Sequence, residues 1–240
     1  MPDRFGPRGT FALFIPLQNA NMQPEYEMLR PDGINNQIYR FTLEVPDKVP
    51  DAILRVVEGG LGCWPDQVII GNNVEMRVWT PDQHAEYRGK LQDAIGDIPL
   101  VTATDAAVAA LKTMGAKRVA ALSPMSDVYS QSVQNYYETM GFEVPYHAGL
   151  QVKKPEDIIK VTLEDALEGF RKLDHDDVDT FLHVGAALGI VDMVEELEKE
   201  LGRPVVSTNI ATYWYALRRH GITDPLEGFG QLAMKPTIVD

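Results

Sequence analysis

The sequence predicts an α/β protein of two pseudo-symmetric lobes, each a four-stranded, mostly parallel sheet flanked by helices, with the site in the cleft between them. Three observations carry this prediction. Short β-rich apolar runs alternate with longer amphipathic stretches, the pattern of a parallel sheet covered on both faces. The segment "IPLVTATDAAVAALKTMGAKRV" (98–119) has a counterpart in "RPVVSTNIATYWYALRRHGI" (203–222): a Pro, a short β run, a Thr or Ser pair, then a helix with Ala-Leu near its end and a closing Gly. Each copy is preceded by a strand that ends in glycine, Gly71 in "QVIIGNN" and Gly185 in "FLHVGAA".

In chain order, "FALFIP" (11–16) and "QIYRFTLEV" (37–45) read as the first strands, and "DAILRVVEGGLG" (51–62) as a helix with apolar residues at helical spacing. The strand "QVII" (67–70) and the strand "PLVTA" (99–103) follow, then the helix "TDAAVAALKTMG" (104–115). The second half repeats the theme with strands at 117–123, 142–147, 179–184 and 204–208 and helices at 126–141 and 192–202. All four of these helices close on glycine, the residue that best tolerates a left-handed cap. One of Ser207, Thr208 and Asn209 should cap the last helix, as one of Thr102 to Thr104 caps its counterpart. The repeat assigns residues 1–113 plus 213–240 to the first lobe and 114–212 to the second.

Composition narrows the function. A chain of 240 residues with 45% apolar content can bury a substantial core. A formal charge of −13 without a Lys/Arg cluster argues against a nucleic-acid partner. No apolar run approaches the roughly 18 residues of a membrane span, and "MPDRFGPRGT" lacks a secretory layout, so a cytoplasmic location is expected. One cysteine, Cys63, allows neither an internal disulfide nor a Cys-based metal cluster, and no metal-spaced His/Asp set or nucleotide loop is visible; no cofactor is expected. The acidic runs at 174–179 and 195–200 read as solvated helix ends and faces. Assembly into a homo-oligomer is left open.

Ligands of parallel α/β sheets bind outside the carboxyl ends of the strands, which places the site at Asn72–Asn73 and at Gly185–Ala187. At this point the residues resemble the aspartate/glutamate racemase superfamily, in the branch of maleate cis-trans isomerase and arylmalonate decarboxylase. The resemblance rests on "GAALGIVDMVEELEKELGRPVVST" (185–208), on "IPLQNANMQPEYEML" (15–29) and on "LSPMSDVYSQSVQNYYETMGFEV" (122–144), and covers nearly the whole chain. It implies the two-lobed fold and a small-molecule carboxylate substrate without a cofactor, with Asn19 contacting a substrate carboxylate. It also implies a departure. Where members of the family place their catalytic cysteines this chain has Gly71 and Gly185, and the tyrosine of the family's "TPY" loop falls at Met125, with Tyr129 one helical turn further on. Cys63 precedes the strand ending at Gly71, on the order of 15 Å from its carboxyl end, and reads as a core or surface thiol rather than a nucleophile.

The expected anion-binding set is Asn19, Gly71, Asn72, Asn73, Met125, the backbone amides around Gly185 and Ala186 at a helix start, and Thr208. Asn-Asn after a strand is also ordinary turn chemistry, and Thr208 also an ordinary cap. The candidates for acid–base work are His183, expected on the same strand face as Gly185, then Tyr129 and Glu75. His183 also reads as a core histidine, and the other two as surface or packing residues. Two functions remain open: an enzyme working through a stabilised enediolate-like anion without the family cysteines, as an isomerase, decarboxylase, lyase or hydrolase, or a non-catalytic carboxylate binder. Two-base racemisation is not expected from glycine at both positions.

Overall fold

The computed structural model describes residues 4–43, 48–73 and 79–239. The first sheet contains β1 (Gly9–Pro16), β2 (Ile34–Phe41), β3 (Gln67–Ile70) and β4 (Leu100–Thr102) in the order β2-β1-β3-β4. The second contains β5 (Arg118–Ser123), β6 (Glu143–Gly149), β7 (Thr180–His183) and β8 (Val205–Ser207) in the order β6-β5-β7-β8. The two orders are the same once the second sheet is renumbered, as the repeat predicts. Every strand pair is parallel, so the sheets are more uniform than the sequence promised.

Parallel strands need crossovers, and the helices supply them. They are α1 (Met22–Leu29), α2 (Val49–Gly60), α3 (Pro81–Ile95), α4 (Ala103–Met114), α5 (Asp127–Thr139), α6 (Leu163–Lys172), α7 (Val194–Leu201), α8 (Thr208–Arg219) and the short α9 (Gly230–Ala233). The sequence reading did not assign α1, α3 or α6. For α3 a signal was present: Thr80 and Gln83 form a reciprocal capping box, with Pro81 in the first turn.

Strand β1 shows how one strand serves two cores. Its side chains alternate, so Phe11, Leu13 and Ile15 enter a large core shared by both lobes, while Ala12 and Phe14 enter a smaller one with Val57, Tyr87 and Leu91. The repeat helices α4 and α8 pack against each other within the shared core. Helix α8 then reaches first-lobe residues: the Tyr213 ring lies tilted against Tyr26 with centroids 5.3 Å apart, and its hydroxyl donates to Asn36 Oδ1 at 2.9 Å.

Several boundaries differ from the expectation for local reasons. Gly115, Gly141 and Gly202 adopt the positive φ expected after α4, α5 and α7. Helix α2 does not end that way: it runs into a 3-10 turn at Leu61–Cys63, and the left-handed residue is Trp64, at φ 54°. Thr102 caps α4 by accepting from the Asp105 N–H at 3.1 Å. Ser207 holds the corresponding position before α8 but makes no side-chain cap, because its hydroxyl faces His183. The acidic run at 174–179 is engaged at the surface, with Asp174 paired to Arg203 and Asp177 to Arg118. In the other run, Glu198 is buried and accepts the Val205 N–H at 2.9 Å.

Candidate active site

The carboxyl ends of the two sheets open onto one cavity of about 240 Å³, at the small end of ordinary ligand pockets and suited to a ligand of few atoms. From the first lobe come Asn19, Gly71, Asn72 and Asn73, and from the second Met125, Tyr129 and Gly185–Ala187. Nine of the residues expected at the site are therefore together. Gln18, Lys153, Pro155 and Ile158 also line it and were not anticipated. Lys153 is the one charged side chain among the described lining residues, and it is exposed at the rim.

Each residue is held by its local fold. Asn19 follows β1; its Oδ1 accepts the N–H groups of Asn21 and Met22, at 3.1 and 2.9 Å, and so organises the start of α1. The donor left on that side chain is Nδ2. Arg40 on β2 braces the same loop by donating to the Asn19 carbonyl at 2.7 Å. Met125 is placed by a close backbone approach: a Cβ at Gly149 would lie 2.2 Å from the Met125 carbonyl oxygen, so only glycine lets β6 pass there.

The two strand tips touch. Asn73 Oδ1 lies 3.4 Å from the Ala186 nitrogen, and Asn73 Nδ2 lies 3.4 Å from Thr208 Oγ1. Asn21 Nδ2 donates to the Ala187 carbonyl at 2.9 Å. Asn72 differs from its neighbour: it is buried, yet among the described residues neither its Nδ2 nor its Oδ1 has a hydrogen-bond partner. An unpaired buried amide costs on the order of 1–3 kcal/mol, and this one sits in the cavity wall.

The remaining expected residues lie elsewhere. Thr208 is fully buried behind the lining, donating to the His183 carbonyl at 2.8 Å. His183 does not line the cavity: it is completely buried, with Nδ1 3.3 Å from Ser207 Oγ and Nε2 without a partner among the described residues. Burial pushes its pKa down to about 3, so it stays neutral around pH 7, and the expected acid–base role does not fit this placement. The alternation argument failed because β7 ends at His183, and Gly185, at φ 122°, has already left strand geometry. Nor is Gly185 at a helix start, since a loop to Ile190 and a 3-10 turn at Val191–Met193 precede α7. Glu75 lies outside the described residues. Cys63 is at the opposite end of the first sheet, in a depression with Thr10, Trp64 and His220, and its Sγ meets the Gly60 carbonyl at 3.2 Å.

Behind the lining is a residue the sequence reading passed over. Glu25, on α1, is buried between the lobes, accepting the Val191 N–H at 2.8 Å through Oε1 and the side-chain amide of Asn209 through Oε2. Burial is the main reason its pKa rises to about 7. A signal existed: α1 buries Met22, Glu25, Tyr26 and Leu29, so the i, i+3, i+4, i+7 spacing puts this carboxylate on the core face.

The family model for arylmalonate decarboxylase matches residues 81–233, more than half of the chain. The chain belongs to the arylmalonate decarboxylase family. The matched span contains Met125, Tyr129, Lys153 and Gly185–Ala187, whereas Asn19 and Gly71–Asn73 precede it. Among individual proteins, the chain is 25% identical to the maleate isomerase of Nocardia farcinica over 217 residues, covering 87% of this chain and 80% of that protein. It is 30% identical to the maleate isomerase of Pseudomonas putida over 156 residues. The chain spans 62% of the length of the Pseudomonas putida protein and 61% of that from Alcaligenes faecalis, also a maleate isomerase.

Solved structures of the same branch share the fold. A mutant Nocardia farcinica maleate cis-trans isomerase with a covalently bound succinylcysteine intermediate superposes with a TM-score of 0.87 at 20% identity, covering 94% of this chain and 98% of that one. Arylmalonate decarboxylase itself gives 0.80 at 19% identity, over 94% and 99% of the two chains. Among the described residues no helix is long and apolar enough to cross a membrane.

Proposed function

We propose that this protein is a cofactor-independent enzyme of the arylmalonate decarboxylase and maleate isomerase type, acting on a small dicarboxylate through an enediolate-like anion without the family cysteines. The observation that carries this reading is Asn72, a buried amide in the wall of the cavity with no partner among the described residues. A ligand carboxylate would satisfy its donor, together with the free Nδ2 of Asn19 and the backbone of Gly185–Ala187. Lys153 at the rim supplies the charge for a second carboxylate.

Within this reading decarboxylation fits better than isomerisation. The isomerase of known structure carries its intermediate on a cysteine. Here the positions that resemble the family cysteines are Gly71 and Gly185, and the chain's one thiol is outside the cleft. Decarboxylation needs no nucleophile. The carbon–carbon bond to the departing carboxylate breaks, carbon dioxide leaves, and the electron pair remains on the substrate as the enediolate until a proton returns to carbon. Leu43, Met125, Pro155 and Ile158 offer that carboxylate an apolar wall, where it is poorly solvated. We assign proton delivery to the Tyr129 hydroxyl, the acidic O–H among the described lining side chains.

A second reading, a carboxylate-binding protein without catalysis, is favoured by one observation: His183 is sealed in the core as a neutral group. Incubation with phenylmalonate and with maleate in deuterated water, followed by NMR, separates the two. Deuterated phenylacetate is the expected product. A dicarboxylate that binds and returns unchanged establishes the binder, and failure of both compounds to bind removes both readings.

A further inference from the structure

The loop from Gly185 to Val191 belongs to the second lobe, but the groups that fix it come largely from the first. At its far end the Val191 N–H is taken by Glu25 Oε1 at 2.8 Å. At its near end the Ala186 carbonyl is held by Asn209 Nδ2 at 2.9 Å, and the same Nδ2 donates to Glu25 Oε2. Between them Asn21 grips the Ala187 carbonyl, and Gly189 sits so close to the Asn21 side chain that a Cβ there would lie 3.1 Å from it.

Glu25 is the point where both routes meet, and its chemistry suits the place. An ionised carboxylate is acceptor-only, and the Val191 and Ile190 N–H groups and the Asn209 amide all bear on it. A glutamine of the same size would set its own N–H₂ against one of them. Asn209 could turn to meet it, because Asn209 Oδ1 is buried without a partner among the described residues. That turn would release the Ala186 carbonyl. A carboxylate is costly to bury and earns its place only if both contacts matter.

We propose that Glu25 is the positioning residue of this cleft: from the first lobe it sets where the Gly185–Ala187 backbone meets the ligand. The inference rests on the reading of the cleft as a carboxylate site, but the order of the loop can be measured without any ligand. Glu25→Gln is compared with the unaltered full chain by amide hydrogen exchange over residues 184–193, by thermal unfolding and by calorimetric titration with maleate. Loss of a charge-assisted hydrogen bond predicts exchange across 185–191 faster by about tenfold or more, with maleate affinity reduced by a similar factor. Peptides from α4 and β5 should be unchanged.

A Glu25→Gln protein whose loop exchanges at the normal rate overturns the proposal. So does one whose loop loosens while maleate affinity holds. If the unaltered protein binds no maleate, the carboxylate reading of the cleft fails, and exchange alone still decides whether Glu25 holds the loop. Should Glu25→Gln not fold, the unaltered protein is followed from pH 8 to pH 5.5, with exchange corrected for its intrinsic pH dependence. Because Glu25 stands at about 7 in the closed structure against an ordinary 4.5, protonating it should raise protection across 185–191 relative to α4, and constant protection overturns the proposal. The ionisable groups bearing on Glu25 are Asp192, from the turn after the loop, and Tyr26 on its own helix; α8 presents the uncharged Asn209.

Discussion

Asn73 Oδ1 stands 3.4 Å from the backbone nitrogen of Ala186, so the tip of one sheet presents an acceptor to the tip of the other. This contact makes the cleft a single object. It also occupies the amide that a ligand carboxylate would use, so Asn73 must yield or share that donor on binding. Asn73→Ala should leave the Ala186 N–H available but unsupported, and calorimetry with maleate should show weaker binding with a less favourable entropy, since the ligand must then order the loop.

Asn72 separates stability from function. Removing a buried amide that has no partner relieves a cost of about 1–3 kcal/mol. Asn72→Ala should therefore unfold at a higher temperature while binding maleate about tenfold or more weakly. A variant with a lower melting midpoint would show that Asn72 is already satisfied.

Lys153 should discriminate by charge count. Lys153→Ala is expected to weaken maleate by roughly fivefold at low salt and to leave acetate almost unaffected, as an exposed charge pairing with a second carboxylate would. Raising the salt concentration should shrink the difference. Equal loss for both ligands would assign Lys153 to the first carboxylate.

Two buried groups give opposite pH dependences. His183 is held at about 3, below its unfolded value near 6.5, so stability falls as pH drops from about 6.5 towards 3 while the unfolded chain alone takes up the proton. Glu25 is raised to about 7 from 4.5, so its contribution is present below about 4.5 and is lost as pH rises to about 7. Between 4.5 and 6.5 the two slopes oppose each other. Denaturant unfolding of Glu25→Gln should expose a stability that climbs with pH across that window.

The two glycines should respond differently to a restored thiol. A Cβ at Gly71 would lie 2.6 Å from Met22 Cε, the flexible end of a side chain, so Gly71→Cys should fold with Met22 displaced. Gly185 has φ 122°, a conformation that L residues rarely adopt, so Gly185→Cys should cost about 1–3 kcal/mol. Melting midpoints rank the pair, and Gly185→Cys should be the lower.

Most of the architecture was legible because it depends on local periodicity. The repeat around α4 and α8 and the glycines closing β3 and β7 were enough to bring residues 71–73 and 185–187 together. The failures occurred where an element ended or where partners were distant in sequence. His183 was misplaced because period-two reasoning was carried past the end of β7. Lys153 enters with Pro155 and Ile158 from the segment after β6, and no spacing rule links that segment to the strand-end loops of β1, β3 and β7. Glu25 could have been found: a carboxylate in the middle of an apolar helical stripe needs a donor, and here the donors are more than 160 residues away, at Val191 and Asn209.

Helix α8 follows the last strand of the second sheet, yet its Tyr213 fills the first lobe beside Phe11 and Tyr26, and His220 just beyond it meets the Arg8 carbonyl at 2.9 Å. During synthesis, the amino-terminal half therefore leaves the ribosome with an unfilled interior and must wait for most of the chain before it can close. A nascent chain stalled shortly before residue 208 should expose apolar surface and recruit chaperones, and one released beyond residue 220 should not.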